Sequence, residues 1–208
     1  MDVFRWVMRG FKIFAISFLM ICVIYHYVSH RALKHPDGVI TAASDPEQTS
    51  TSDPEFQFKH YSIKPLQDFS IVARVLSTEH YEFDTGAELA PVDLALGWGP
   101  MSETSVINQL NISQGGRFYF YRYQLPPPIP PNDIVTHSAN MHMIPSNSLI
   151  EKELKDVRVG QIIHLQGNLV EVKDLKKNWT WRSSLTRNDS GNGACEVIWV
   201  KQLIVTDR

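Results

Sequence analysis

The chain has 208 residues, a formal net charge of −2 and an apolar fraction of 43%. This length predicts one globular domain, and the apolar fraction is ordinary for a folded core. The near-neutral charge argues against nucleic acid as a partner, because nucleic-acid-binding domains usually carry a broad basic surface. The two cysteines, Cys22 and Cys195, lie in different segments. The sequence therefore predicts neither a disulfide framework nor a thiol metal site.

Residues 11–28 are predicted to form one N-terminal transmembrane helix. The run IFAISFLMICVIYHYV at 13–28 contains no Asp, Glu, Lys or Arg. A helix over 11–28 rises about 27 Å, close to the hydrocarbon thickness of a bilayer. A cleaved signal peptide is the alternative, but residues 26–31 lack the small-x-small pattern that signal peptidase requires.

The charges around this segment predict its orientation. Three bases, Arg5, Arg9 and Lys12, lie before the uncharged run at 13–28 together with Asp2, and two bases, Arg31 and Lys34, follow it. Positive charge favours the cytoplasmic side, so residues 1–10 are predicted to be cytoplasmic. This orientation predicts a bacterial inner-membrane protein whose C-terminal domain lies in the periplasm.

Residues 29–55 are predicted to be a flexible acidic linker. The stretch PDGVITAASDPEQTSTSDPE contains acids, prolines, serines and threonines but no bases. Such a composition buries too little apolar surface to offset the entropy of ordering. The globular domain is therefore predicted to cover residues 56–208.

The domain is predicted to be mainly β with one or two helices. Runs rich in β-branched and aromatic residues predict strands over 69–81, 92–98, 117–123, 133–144, 161–172 and 195–205. The LPPPIPP run predicts an extended connector, since proline lacks a backbone donor. Apolar spacing predicts a helix over 146–157, capped by Ser146 or Ser148. Gly167 predicts a bulge or bend within its strand.

The segment LKDVRVGQIIHLQGNLVEV places a helix end, a glycine turn and a bent strand in succession. This order resembles the OB-fold, a five-stranded Greek-key barrel with a helix between its third and fourth strands. The resemblance implies an OB-like barrel over about 69–207 with an insertion at about 101–131. The segments HSANMHMIP and WRSSLTRNDSGNGACEVIWV resemble parts of membrane-tethered bacterial proteins of unknown function.

Three groups of residues raise the question of catalysis or metal binding. His137 and His142 fall on opposite faces of a regular strand, which disfavours a shared metal ion. Ser190 lies in the NDSGNG loop tip, where a turn is the simpler interpretation. Cys195 begins an apolar strand, where buried inert thiols are common. No metal, cofactor or catalytic set is predicted.

The polar loop at 173–193 is the main candidate for binding. Aromatic side chains there alternate with basic ones, and such a surface suits stacking together with attraction of anions. The candidate residues in the loop are Lys176, Lys177, Trp179, Trp181, Arg182 and Arg187. Packing of the tryptophans against the domain is the alternative. In the RFYFYRY run, the phenylalanine face is predicted to be core, and Tyr119 and Tyr121 are predicted to face a partner.

These features predict a membrane-anchored binding or assembly module of the bacterial envelope, with another envelope protein or a glycan as its partner. The first alternative is an envelope hydrolase or thiol enzyme that uses Cys195 or Ser190 with His142. The second alternative is a nucleic-acid-binding OB domain, which requires a cytoplasmic location. The charge balance of the domain disfavours it.

Overall fold

The computed structural model describes residues 14–21, 23, 31–186 and 194–206. The chain divides into two compact units, Met1–Ala32 and Leu33–Arg208. In the first unit, residues 14–21 and 23 are helical and their large apolar side chains are exposed. None of the helices formed by described residues combines the length and apolar character that crossing a membrane requires. The predicted span falls partly outside the described residues, as does all of the predicted cytoplasmic segment 1–10, and it stays a prediction.

The second unit is mainly β, as predicted. Its strands are β1 (Glu47–Ser50), β2 (Phe56–Phe58), β3 (Tyr61–His80), β4 (Val92–Gly97), β5 (Leu110–Gly115), β6 (Phe118–Tyr123), β7 (Ser138–Pro145), β8 (Ile162–Asp174), β9 (Trp179–Arg182) and β10 (Glu196–Val205). A 3-10 turn covers Gly99–Ser102, and the helices are α1 (Thr104–Ile107), α2 (Pro131–Thr136) and α3 (Ser148–Lys155). The predicted β strands thus exist with shifted ends, except at 133–144.

Five strands are linked in a ring of pairings. In the order β3, β4, β7, β10 and β8, each strand pairs with the next, and β8 pairs back onto β3. The β7–β10 pair is parallel and the other four are antiparallel. Strand β3 can pair on both sides because it is long and shifts register at 65–67 and 75–77. Such irregularities bend a strand and increase its twist.

The main core lies inside this ring and is formed by alternate residues of its strands. Leu94, Met141, Leu165 and Ile198 are among its fully buried members. A side-chain period of two places these residues on one face of each strand and leaves the intervening residues on the outer face. Unusually, much of the outer face is buried as well, beneath two further apolar clusters.

Helix α3 is capped by Asn147 rather than by either neighbouring serine. The Asn147 side chain accepts hydrogen bonds from the backbone N–H groups of Leu149 and Ile150, at 2.9 and 3.0 Å. Asparagine caps a helix as well as serine does, so the sequence pattern alone did not select the cap. Ile150 and Leu154 then bury the apolar side of the helix in the main core.

The strand predicted over 133–144 is divided in the structure. Helix α2 occupies its first part and ends at His137, and β7 begins at Ser138. Proline is favoured in the first turn of a helix because its missing N–H would have no partner there. Pro131 therefore starts a helix in a segment whose composition favoured a strand.

Residues 33–55, predicted to belong to the flexible linker, pack against the ring. The Leu33 N–H donates to the Val159 carbonyl at 2.8 Å, and Ala42 is buried. Strand β1 pairs with β3, and Asp53 accepts a hydrogen bond from Asn168 at 3.1 Å. Composition was misleading here because the polar groups are satisfied by the ring rather than by water.

Gly167 lies where two backbones approach each other. A Cβ atom at this position would overlap the carbonyl oxygen of Trp199. The register of β10 against β8 shifts next to this contact, between Val200 and Gln202. The sequence correctly placed an irregularity at Gly167, and the close approach explains why glycine is required there.

Candidate functional site

A cleft of about 550 Å³ opens on the outer face of β7, between the two outer apolar clusters. One wall comes from the loop between β3 and β4, another from the tip of the β5–β6 hairpin, and a third from β9. The residues that line it are Asp84, Thr85, Gly86, Arg117, Phe118, His142, Trp179, Thr180, Trp181, Arg182 and Cys195.

Arg117 joins the walls of the cleft through its guanidinium. It donates two hydrogen bonds to Asp84, at 2.6 and 2.7 Å, and one to Asp93, at 2.7 Å. A fourth hydrogen bond reaches the Ala90 carbonyl at 2.9 Å. Bidentate arginine–carboxylate pairs are among the stronger and more directional polar contacts. The hydrogen bonds from Arg117 hold the pKa of Asp84 below its ordinary value.

Tyr81 also contacts Arg117, through its ring and through its hydroxyl. The Arg117 guanidinium carbon lies 3.7 Å from the centre of the Tyr81 ring, and the Arg117 N–H donates to the Tyr81 hydroxyl at 3.0 Å. Burial raises the pKa of Tyr81 to about 12. Arg117 has a φ of 72°, in the left-handed region that non-glycine residues rarely adopt. Its six polar and stacking contacts offset that backbone strain.

His142 forms the floor of the cleft and contacts a buried carboxylate. Its Nδ1 lies 2.9 Å from Oδ2 of Asp93, which is within ion-pair distance. The contact does not have the geometry of a hydrogen bond. His142 is 2% exposed and Asp93 is fully buried. The His142 ring also packs on Trp181, with centroids 4.5 Å apart. This histidine, predicted to lie on a polar face, is instead held in one orientation beneath an aromatic side chain.

Cys195 lies at the edge of the same cleft. It directly precedes Glu196, which pairs with Met141 one residue before His142. Its Sγ is 3.9 Å from the Asn140 amide nitrogen and 3.9 Å from the Arg117 carbonyl. Cys195 and His142 therefore both line this cleft.

His137 does not join this group. The Nδ1 of His137 lies 2.9 Å from the Asp133 carbonyl, at the end of α2. Ser190 lies outside the described residues, and so does Arg187. Within the described ranges, no group of three or more His, Cys, Asp or Glu side chains is arranged to hold a metal ion.

The predicted tryptophans line the cleft and also pack against the ring. Trp179 and Trp181 have ring centroids 5.6 Å apart and contact the outer cluster that contains Tyr61 and Val197. The packing alternative is therefore seen in part, since both rings are half-buried, and a role of these tryptophans in binding stays a prediction. Arg182 lines the cleft too and donates to Glu171 at 2.6 Å.

Lys176 and Lys177 do not line the cleft. Their backbone N–H groups donate to Asp174, at 2.7 and 3.0 Å, in the turn that leads to β9. Their contribution to the fold is therefore through the backbone of a turn, and their role in binding stays a prediction.

The two faces of β6 are reversed relative to the prediction. Tyr119 and Tyr121 pack against the outer cluster beneath the hairpin, whereas Phe118 and Phe120 are 40% and 51% exposed. Burial raises the pKa of Tyr119 to about 12. Its hydroxyl lies 3.5 Å from that of Ser138, so the tyrosine buries its ring while its polar end keeps a partner.

The sequence pattern grouped Trp179 and Trp181, which lie on one strand. It did not group Asp84, Asp93 and Arg117, which lie in separate segments of the chain. Asp93 alone carried a signal, because an acid in the otherwise apolar run VDLALGW must have a partner when buried. The identity of that partner depends on the hairpin fold, which the sequence did not predict.

Comparison with protein-family models, with curated proteins and with solved structures found no match to this chain. The chemistry of the cleft is therefore the basis for a functional proposal.

Proposed function

We propose that the chain is a membrane-anchored binding or assembly module of the bacterial envelope, built on an OB-like β-barrel. The order of pairings in the ring supports the barrel. Strands β3, β4, β7, β8 and β10 correspond to strands one to five of an OB-fold, and α3 lies between the third and fourth. The β5–β6 hairpin and α2 form the insertion between the second and third strands.

The position of the cleft supports a binding role. OB-folds bind ligands on the face of strands two and three, between the loop joining strands one and two and the loop joining strands four and five. Here those two loops supply Asp84 to Gly86 and Trp179 to Arg182, and His142 lies between them on the third strand. This convergence is the observation that carries the proposal.

The N-terminal segment supports the anchor and its location. The apolar run at 13–28 has no charged residue, and in the part that is described the large apolar side chains are 59–68% exposed. Exposing this many apolar side chains on one helix is unfavourable in water and favourable in lipid. We place the anchor in the inner membrane, with the domain in the periplasm facing an envelope protein or a glycan.

A combined variant tests the binding site. Trp179→Ala, Trp181→Ala and Arg182→Ala together remove the β9 wall of the cleft. We expect cross-linked partner recovery from native membranes to fall at least tenfold. A variant with Arg122→Ala and Leu125→Ala, both exposed and outside the cleft, is the matched control. Equal recovery by both variants, with both folded by circular dichroism, would exclude the cleft as the binding site.

A thiol enzyme is the second candidate, favoured by one specific observation. Cys195 and His142 share a cleft, and Asp93 contacts His142 on Nδ1. In nucleophilic enzymes a third group commonly orients the base in this manner. The candidate predicts that iodoacetamide alkylates Cys195 rapidly at pH 6 in a Cys22→Ser background, and that His142→Gln removes this reactivity. Alkylation that rises only near pH 8.5 in both proteins, as for an ordinary thiol, would eliminate it.

A further inference from the structure

The charged side chains of the cleft are already compensated within the protein. Arg117 is bound by Asp84 and Asp93, and Arg182 is bound by Glu171. The hydrogen bond from Arg182 lowers the pKa of Glu171, as expected for a carboxylate that stays ionised beside a cation. A charged ligand would have to displace one of these internal partners, at a cost in both Coulomb energy and desolvation. The cleft therefore selects against ligands of high net charge.

The aromatic wall offers one flat surface to a ligand. Trp181 is the inner ring and already contacts His142 on one side, at 4.5 Å. Trp179 is the outer ring, half-buried and tilted 53° from Trp181. The face of an aromatic ring carries negative potential, which attracts polarised C–H groups. A ring with a C–H face and polar edges fits against Trp179 better than a fully apolar ligand.

Polar groups surround that aromatic surface. Asp84 and Thr85 line the wall opposite the tryptophans, and both residues are exposed. The Thr85 hydroxyl both donates and accepts, and the Asp84 carboxylate, held in place by Arg117, accepts, which together suit ligand hydroxyl groups. The volume of about 550 Å³ lies within the range of about 300–1,000 Å³ that is usual for small-ligand sites.

We infer that the ligand of the cleft is a neutral saccharide, with one sugar ring stacked on Trp179 and its hydroxyls bound by the surrounding polar side chains. This inference rests on the proposed binding function and names its ligand class. Aromatic stacking, compensated charge and the polar groups of Asp84 and Thr85 on the opposite wall all favour it. A polyanion would require uncompensated cations, and a protein partner would not require an aromatic ring that faces polar side chains across the cleft.

Nuclear magnetic resonance of the full-length protein tests this inference. The protein is held in micelles of a detergent without a sugar headgroup, such as lauryldimethylamine oxide. The neutral probes are N,N′,N″-triacetylchitotriose, cellotriose and maltotriose, and the charged counterpart is trigalacturonate. We expect the indole N–H signals of Trp179 and Trp181 to shift with at least one neutral trisaccharide, while that of the buried Trp98 stays unchanged. Trp179→Ala should weaken this binding at least tenfold, and Trp179→Phe should retain it within about threefold.

Two results would overturn the inference. One is the absence of any Trp179 shift with all three neutral probes, and the other is tighter binding of trigalacturonate than of the neutral sugars. Retention of binding in folded Trp179→Ala would also reject the stacking site. If saccharides fail but the Trp179, Trp181 and Arg182 variant still loses its cross-linked partner, the ligand class is wrong and the proposed binding function stands.

Discussion

Arg117 binds both carboxylate oxygens of Asp84, at 2.6 and 2.7 Å, and so ties the tip of the β5–β6 hairpin to the loop between β3 and β4. The same guanidinium binds Asp93, whose other oxygen contacts His142. One side chain thus connects an inserted hairpin, a loop and two strands of the ring. Its consequence is a cleft whose walls are preorganised before any ligand enters, which reduces the entropic cost of binding.

The Asp84–Arg117 contact predicts a pH dependence of stability. The hydrogen bonds from Arg117 lower the pKa of folded Asp84 below its ordinary value of about 3.9. The contribution to stability is therefore fully present above about pH 4 and is lost as the pH falls through the folded pKa. We expect Asp84→Asn to lower the melting temperature at pH 7 and to approach the parent as the pH falls below 4.

Glu82→Gln is the control for this experiment, because it removes an exposed carboxylate from the same loop. Thermal unfolding by circular dichroism between about pH 2.5 and pH 7 compares the three proteins. Identical pH profiles for the two variants would show that the Asp84 carboxylate contributes nothing specific.

Gly167 is predicted to tolerate no side chain. A Cβ atom there would overlap the Trp199 carbonyl oxygen, and backbone cannot move aside as a flexible side chain can. We expect Gly167→Ala to reduce the free energy of unfolding by about 3 kcal/mol. Gly115→Ala is the matched control, since nothing lies within 4 Å of a Cβ atom at Gly115. It should change stability by less than about 0.5 kcal/mol in urea denaturation, and a similar loss in both variants would refute the close approach.

Asn147 is predicted to stabilise α3 through its cap. Asn147→Ala removes the acceptor for two backbone N–H groups and should cost about 1 kcal/mol, because those donors would lose their partner. This corresponds to a fall in melting temperature of about 2–4 °C for a chain of this size. Asn147→Asp keeps the acceptor and should remain within about 1 °C of the parent. A cap at a neighbouring serine would instead make Ser148→Ala the more damaging change.

Tyr119 is predicted to ionise at a higher pH than an exposed tyrosine does. Burial raises its pKa to about 12, above the ordinary value of about 10. Its contribution to stability is full below about pH 10 and is lost as the pH rises through the folded value. The absorbance change at 295 nm on titration of the folded protein should lose a component near pH 12 in Tyr119→Phe. If Tyr119→Phe removes a component near pH 10, the tyrosine face of β6 is exposed rather than packed.

Local patterns in the sequence predicted most strands of the ring but not how the β5–β6 hairpin and residues 33–55 pack on its outer face. In runs such as 161–172, apolar residues either alternate with polar ones or are continuous. Such a pattern predicts a strand whichever strand it pairs with. The reversed faces of β6 show the limit of this reasoning. Phe118 and Tyr119 differ too little in apolar character to decide which one is buried, and the choice depends on what the hairpin packs against.

Only one wall of the cleft, the wall that contains Trp179 and Trp181, could be predicted from local sequence. Trp179 and Trp181 belong to one strand, so local sequence was sufficient to group them. The partnership of Asp84, Asp93 and Arg117 joins three separate segments and depends on tertiary structure. The order of residues 33–55 was missed for the same reason, because their hydrogen-bond partners lie on distant strands.

The most direct test of the binding site places a photo-cross-linking amino acid at Thr85, inside the cleft, and at Ser52, on an exposed loop outside it. Both proteins are irradiated in native membranes, and the adducts are separated and identified by mass spectrometry. We expect a defined adduct from Thr85 that disappears when Trp179→Ala and Trp181→Ala are added, and none from Ser52. The same adducts from both positions, or a Thr85 adduct unaffected by loss of the tryptophans, would contradict the cleft as the binding site.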